Sequence, residues 1–166
     1  MIKALLFLTL TCSMMQQSNQ KLYLKEYGIG LFYPKAWVLV NNDNVVFCIT
    51  RPKKNVNEII IENINLTIGE AIKGLTLEET NNLTVKELQK YLPNMKVDKV
   101  EKKTYNNLNY MKVIYEYSLN NIEFKVIFFQ TLKNGKGYNI TCTSQKKTFD
   151  EYEKHFTDIM NTFEIQ

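Results

Sequence analysis

His155 is the only histidine among 166 residues. A serine or cysteine nucleophile activated by imidazole would have to use this one ring, and a multi-histidine zinc site cannot be assembled. It lies between Tyr152 and Ile159 at helical spacing, so it reads as a partly exposed helix residue. The sequence contains no G-x-S-x-G elbow, no phosphate loop, no H-E-x-x-H and no C-x-x-C. Gly28-Ile29-Gly30 lacks the third glycine and the following helix of a dinucleotide fingerprint. Asn41-Asn42-Asp43-Asn44 offers oxygen ligands, but with one carboxylate and no ordered calcium-loop spacing it reads as a turn. Glu78 and Glu79 read as solvated helix carboxylates. No catalytic, cofactor-binding or metal-ligating residue is assigned, and no cofactor is expected. The corresponding expectation is that no tight cluster of titratable groups with strongly shifted pKa values lines a deep cleft.

The residues left to carry function are those that could bind. Trp37, the single tryptophan, either packs under a sheet edge or lines a groove with its amphipathic ring. Lys96, Lys99, Lys102 and Lys103, interspersed with Asp98 and Glu101, read as a charged edge strand that discourages aggregation, or as a weak patch for anionic lipid or an acidic partner. Nucleic acid is not the expected partner. The net charge is only +4, from 21 basic and 17 acidic residues, and Arg51 is the sole arginine. Base readout and bidentate phosphate clamps favour arginine over lysine.

The N-terminus reads as an address. Lys3 precedes the short apolar run of residues 4–10, and a polar stretch follows at 16–20. This is the pattern of an export signal, and the run is too short for a permanent span. Cys12 stands where a bacterial lipoprotein carries its lipidated cysteine. Thr9 and Thr11 replace the usual leucine and small residue before it, so an ordinary signal cut further along is the alternative. Lipidation of Cys12 would tether the protein to a membrane surface with its domain in water. Cys48 and Cys142 lie in strand-like apolar runs and read as two buried thiols in preference to a bridge.

These residues must be positioned by a domain spanning 21–166. Segments 27–33, 37–40, 45–50 and 58–68 show β-branched or alternating patterns, with Pro34 closing the first. The period then changes. Thr84-Val85-Lys86-Glu87 has the form of a capping box, predicting a helix to about Tyr91 before Pro93, with an earlier turn or two within 75–82. Asn106-Asn107, Asn120-Asn121 and Asn134-Gly135 divide the next stretch into four segments, 95–105, 108–119, 122–133 and 136–144. Asparagine and glycine tolerate the positive φ of tight hairpins, so these segments form a four-stranded antiparallel meander. Val126 to Phe129 is apolar on both faces and should be central and covered on both sides. Thr148-Phe149-Asp150-Glu151 has the form of a second capping box. Phe149, Tyr152, Phe156, Ile159 and Phe163 then share one helical face. The class is α+β: an antiparallel sheet of about six strands flanked by helices.

Two stretches carry a family resemblance. Residues 28–37, from Gly28 through Pro34 to Trp37, resemble the opening strand, proline and tryptophan of PsbP-like domains. Gly137-Tyr138-Asn139-Ile140-Thr141-Cys142 with the helix to Phe163 resembles their final strand and helix, and Glu62 to Asn65 adds a short match between. The resemblance covers residues from about 22 to the end. It implies an antiparallel sheet flanked by helices and a role in binding or assembly, in a family that includes photosystem II extrinsic subunits, bacterial envelope lipoproteins and Ran-binding proteins. The metal-binding residues of the photosynthetic members have no local motif here and are not carried over. The expectation is a non-enzymatic binding or assembly module of the cell envelope, with an unidentified protein partner. A carrier of a small apolar ligand held between sheet and helix is the alternative. An enzyme whose site leaves no local signature ranks last.

Overall fold

The structure is a computed structural model that describes residues 18–58 and 60–166. Cys12 and most of the export segment lie outside the described residues. Ten strands and two helices follow in the order β1 (Asn19–Leu24), β2 (Ile29–Pro34), β3 (Val38–Val40), β4 (Phe47–Thr50), β5 (Asn63–Glu70), α1 (Leu77–Tyr91), β6 (Lys96–Tyr105), β7 (Leu108–Leu119), β8 (Ile122–Lys133), β9 (Lys136–Gln145), α2 (Phe149–Met160) and β10 (Glu164–Ile165). Asn19 and Gln20, assigned to the export segment from sequence, belong to β1.

The meander forms as expected. Asn106, Asn107, Asn120, Asn121 and Asn134 adopt φ between 45° and 62°, and Gly135 has φ 74°. These left-handed residues let each hairpin close in two steps. The main sheet has seven antiparallel strands in the order β3-β4-β5-β9-β8-β7-β6. The expected α+β class with an antiparallel sheet flanked by helices is the one formed; among the described residues the main sheet has seven strands and a second, small sheet has three. A separate sheet, β1-β2-β10, draws β2 out of the main sheet, because the two-residue β10 pairs with its start. Two residues are too few to show a periodicity. Glu58 and residues 60–62, expected as part of a strand, carry no strand; Glu58 and Glu62 turn to Arg51 instead.

Both capping boxes need correction. Helix α1 starts one box earlier, at Thr76, whose hydroxyl accepts from the Glu79 N–H at 3.2 Å while Glu79 accepts from the Thr76 N–H at 2.8 Å. Thr84 is interior; its hydroxyl donates back to the Thr80 carbonyl at 3.0 Å and accepts from Gln130 on β8 at 3.0 Å. Thr148 does sit at the N-cap of α2, but makes no side-chain cap. Its hydroxyl is used by Glu62, 2.7 Å away. Long-range packing therefore overrides the local pattern at both places.

The two faces of the main sheet are covered differently. On the front, α2 lays Phe149, Phe156 and Ile159 onto Ile127, Phe129, Ile140 and Cys142, with Ile29 and Leu31 of the small sheet completing one continuous core. On the back, Val85 and Leu88 of α1 and Leu92 just after it pack on Val113, Tyr115, Val126 and Phe128. Val126 to Phe129 is therefore buried on both sides, as its doubly apolar sequence requires. Helix α1 packs against β7 and β8. The back of β9, β5 and β4 presents Asn139, Thr141, Thr143, Asn63, Asn65, Thr67, Cys48 and Thr50, all only half-buried.

Candidate functional site

The lysines sit on β6, one edge of the main sheet. Lys102 pairs across the β6–β7 register with Met111, which turns it to the back, towards the start of α1. There its ammonium meets the Glu78 carboxylate at 2.7 Å. Thr76, Leu77, Glu78, Thr104, Asn109 and Met111 line the same open groove, of about 520 Å³. Its floor is apolar and its rim is a solvent-exposed ion pair. Lys99 and Lys103 face the other way and both bind Glu101, Lys103 at 2.6 Å. The two ammonium groups hold the Glu101 carboxyl down at about 2. Lys96 lies further along, in a small hollow with Glu116, Tyr117 and Lys146. The four lysines thus form one edge but not one patch, and three of them are already paired with carboxylates.

Trp37 is elsewhere. It precedes β3, at the opposite edge of the sheet, and is 4% exposed. Its ring stands edge-on to Tyr152 and Phe156 of α2, with centroids 6.3 and 6.2 Å away, and 6.4 Å from half-buried His155. Of the two readings from sequence, this burial against α2 fits packing under the sheet edge. Asn41 to Asn44 form a turn in which the Asn44 N–H donates to the Asn42 side chain at 3.0 Å. Cys48 and Cys142 are free and face opposite sides of the sheet, as their partners Asn65 and Ile64 in successive register show. Burial pushes both thiols up. Among the described residues no group of three or more His, Cys, Asp or Glu is placed to hold a metal ion.

Sequence reasoning passed over one cluster. Arg51 is nearly buried, and its guanidinium donates to Glu62, to both oxygens of Glu58 (2.9 Å for the Nη1 contact) and to the Pro52 carbonyl at 2.7 Å. Glu58 also accepts the Lys54 N–H at 2.7 Å. These donors hold its carboxyl down at about 2, the Arg51 hydrogen bond being the largest cause. The guanidinium is raised, first by that same bond. Glu62 carries the cluster to α2 through Thr148. An open hollow of about 450 Å³ lies over it, also lined by Asn55, Asn57, Gln145 and Lys147. Titratable groups with shifted pKa values do cluster here, but under an open hollow and not in the deep cleft that the expectation named. Each of the two carboxylates is paired with Arg51.

The sequence model of the PsbP-like protein family matches residues 10–165. The chain belongs to this family. No curated protein matches it. Among solved structures, the cyanobacterial PsbP of Synechocystis (CyanoP) is similar with a TM-score of 0.68 at 17% identity, over 93% of this chain and 96% of that one. LpqN of Mycobacterium tuberculosis, described as involved in cell envelope biogenesis, gives 0.68 at 13% identity, over 88% and 89%. The Ran-binding protein Mog1p of Saccharomyces cerevisiae gives 0.64 at 9% identity, over 90% and 96%. At such identities the likeness is one of fold.

The residues that suggested a PsbP-like domain have structural work in this fold. Gly28 adopts φ 62°, and its carbonyl accepts the Gln166 N–H at 2.8 Å. At Gly30 a Cβ would lie 2.4 Å from a Glu164 side-chain oxygen, so β10 crosses β2 where the backbone is bare. The motif therefore ties the two ends of the domain together. Arg51, by contrast, had one available signal: it is the only arginine, and two glutamates follow it within eleven residues. That spacing fixes nothing until the loop folds back.

Proposed function

We propose that this PsbP-like protein is a non-enzymatic binding or assembly module of the cell envelope, carried at a membrane surface by a lipid on Cys12. The groove between the start of α1 and the β6–β7 hairpin carries the reading. Its apolar floor of Leu77 and Met111, rimmed by the exposed Lys102–Glu78 pair, suits a protein surface that exchanges those charges for its own. Paired charges favour recognition over chemistry, since a base or nucleophile must be left available to react. The N-terminal pattern of Lys3, a short apolar run and Cys12 supports export. Among the described residues no helix is long and apolar enough to cross a membrane, so attachment would fall to the lipid. The envelope role printed for LpqN agrees in kind.

Crosslinking pull-down from native envelopes tests both halves. The wild type should capture a defined partner from the membrane fraction, Lys102→Glu should lose it, and Cys12→Ala should release the protein into the soluble fraction without lipid labelling. Membrane association with no lipid on the wild type would sink the anchor. Capture unchanged by Lys102→Glu would sink the groove. One observation favours a carrier instead: the groove lies between a helix and the sheet and has an apolar floor. A fluorescent apolar probe bound stoichiometrically by the wild type, and lost on Met111→Lys, would shift the reading to that class.

A further inference from the structure

The main sheet ends in two unlike strands. β6 spans ten residues, carries Lys96, Lys99, Lys102 and Lys103, and has a break in register between Val97 and Lys99. Charge, a bulge and a very short edge are devices by which an edge refuses another strand; β3 has only the last. It is Val38-Leu39-Val40, its register with β4 is unbroken, and its side chains are 48, 50 and 41% exposed. Alternate residues of any edge strand direct N–H and C=O groups away from their one neighbour, so the backbone itself specifies the occupant: another extended strand. A hollow of about 240 Å³, lined by Leu24, Leu39, Val46 and Phe47 and by Asn41 and Asn42, lies beside it on the front.

We propose that two copies of the chain pair through β3, antiparallel, about a two-fold axis at Leu39. The strand is its own complement. Val-Leu-Val reads the same in both directions, so setting Leu39 against its counterpart places Val38 opposite the second copy's Val40, and β-branched pairs suit adjacent strands. No charge lies in β3 to repel a copy, whereas self-pairing of β6 would set lysines against lysines. The two-fold axis is perpendicular to the sheet, so both Leu39 side chains meet on the front beside the two hollows. On the back, the half-open faces bearing Val38, Val40, Cys48 and Thr50 join into one surface. Three residues bury far less than the roughly 1,200–2,000 Å² of a stable interface, so the pairing is weak and concentration-dependent. It needs neither the lipid nor the groove proposed above.

The test uses the full chain with Cys12→Ser and Cys48→Ser; Cys142 is fully buried and is kept. In a facing pair the Cα atoms stand about 4.5 or 5.5 Å apart, both within reach of a disulfide. Leu39→Cys should therefore crosslink to a dimer at least about tenfold faster than Val56→Cys, a control on a more exposed loop residue. Sedimentation of the parent chain should show a monomer near ~10 µM and dimer growing in towards ~1 mM, and Leu39→Lys should remain monomeric throughout. Equal crosslinking of the two cysteine variants would overturn the proposal. So would a parent that stays monomeric at the highest concentration, including one that instead captures a foreign strand, or a dimer that survives Leu39→Lys.

Discussion

The front and back of the main sheet are made from the same strands but do different work. Across the front, α2 and the small sheet cover a core that runs from Ile29 to Ile165 and includes six buried aromatic rings of α2, β2, β8 and the C-terminal turn, among them Phe129, Phe149, Phe156 and Phe163. The back has a four-residue core under a single helix, and its remaining strands face outward with asparagine and threonine. Apolar area removed from water scales the stabilisation, so the front should hold the fold. The back and the sheet edges, where backbone and side chains remain accessible, are where binding has room. The two ion-pair arrangements follow the same division. Arg51 is buried with Glu62, half-buried Glu58 beside them, and locks the loop to α2, whereas Lys102 and Glu78 are exposed, and such pairs typically contribute little to stability.

The largest effect should come from the front. Phe156→Ala should cost about 3–5 kcal/mol in denaturant unfolding, as expected for truncating a fully buried aromatic. A loss below about 1 kcal/mol would break the comparison at its strongest point. A smaller effect is expected at the back, where Thr76→Ala removes the cap of α1 and should cost about 1 kcal/mol. Hydrogen exchange should show it as faster opening of α1, with β8, β9 and α2 unchanged. Equal acceleration in α2 would mean that the two faces unfold as one unit.

The subtlest effect is in acid. Glu58 is held at about 2 in the folded chain, against an ordinary 4.5. A depressed carboxyl favours the folded state above its unfolded value, and that contribution is lost as pH falls from 4.5 through about 2. Glu58→Gln should therefore flatten the fall in Tm across this window, while leaving part of it, because Glu101 is held equally low by Lys103 and Lys99. Identical acid profiles for the variant and the wild type would remove the Arg51 cluster from the account of the front.

Legibility from sequence followed the range of the interactions involved. The four meander strands could be placed because asparagine pairs mark their turns, and a positive φ is a requirement of the residue itself. The apolar face of α2 was visible for the same kind of reason, a period within twelve residues. The cap of α1 was misplaced because Thr76 and Thr84 both head a box of the same form; which one begins the helix depends on Thr84 being needed at Gln130, forty-six residues away. The lysines were correctly seen as an edge, but their division between Glu78 and Glu101 depends on which side of β6 each faces.

The sequence alone determined the class of this protein: an antiparallel meander closed by an amphipathic helix. It also held the residues of the PsbP-like resemblance, because glycine, proline and tryptophan have narrow conformational and packing requirements. Only the tertiary structure decided that β2 leaves the main sheet for β10, that Arg51 gathers Glu58 and Glu62, that Trp37 is enclosed by α2, and that one edge strand of the sheet is charged while the other is uncharged. Each of those depends on contacts between distant segments. Neither propensity nor periodicity encodes such contacts, since both are set by neighbours along the chain.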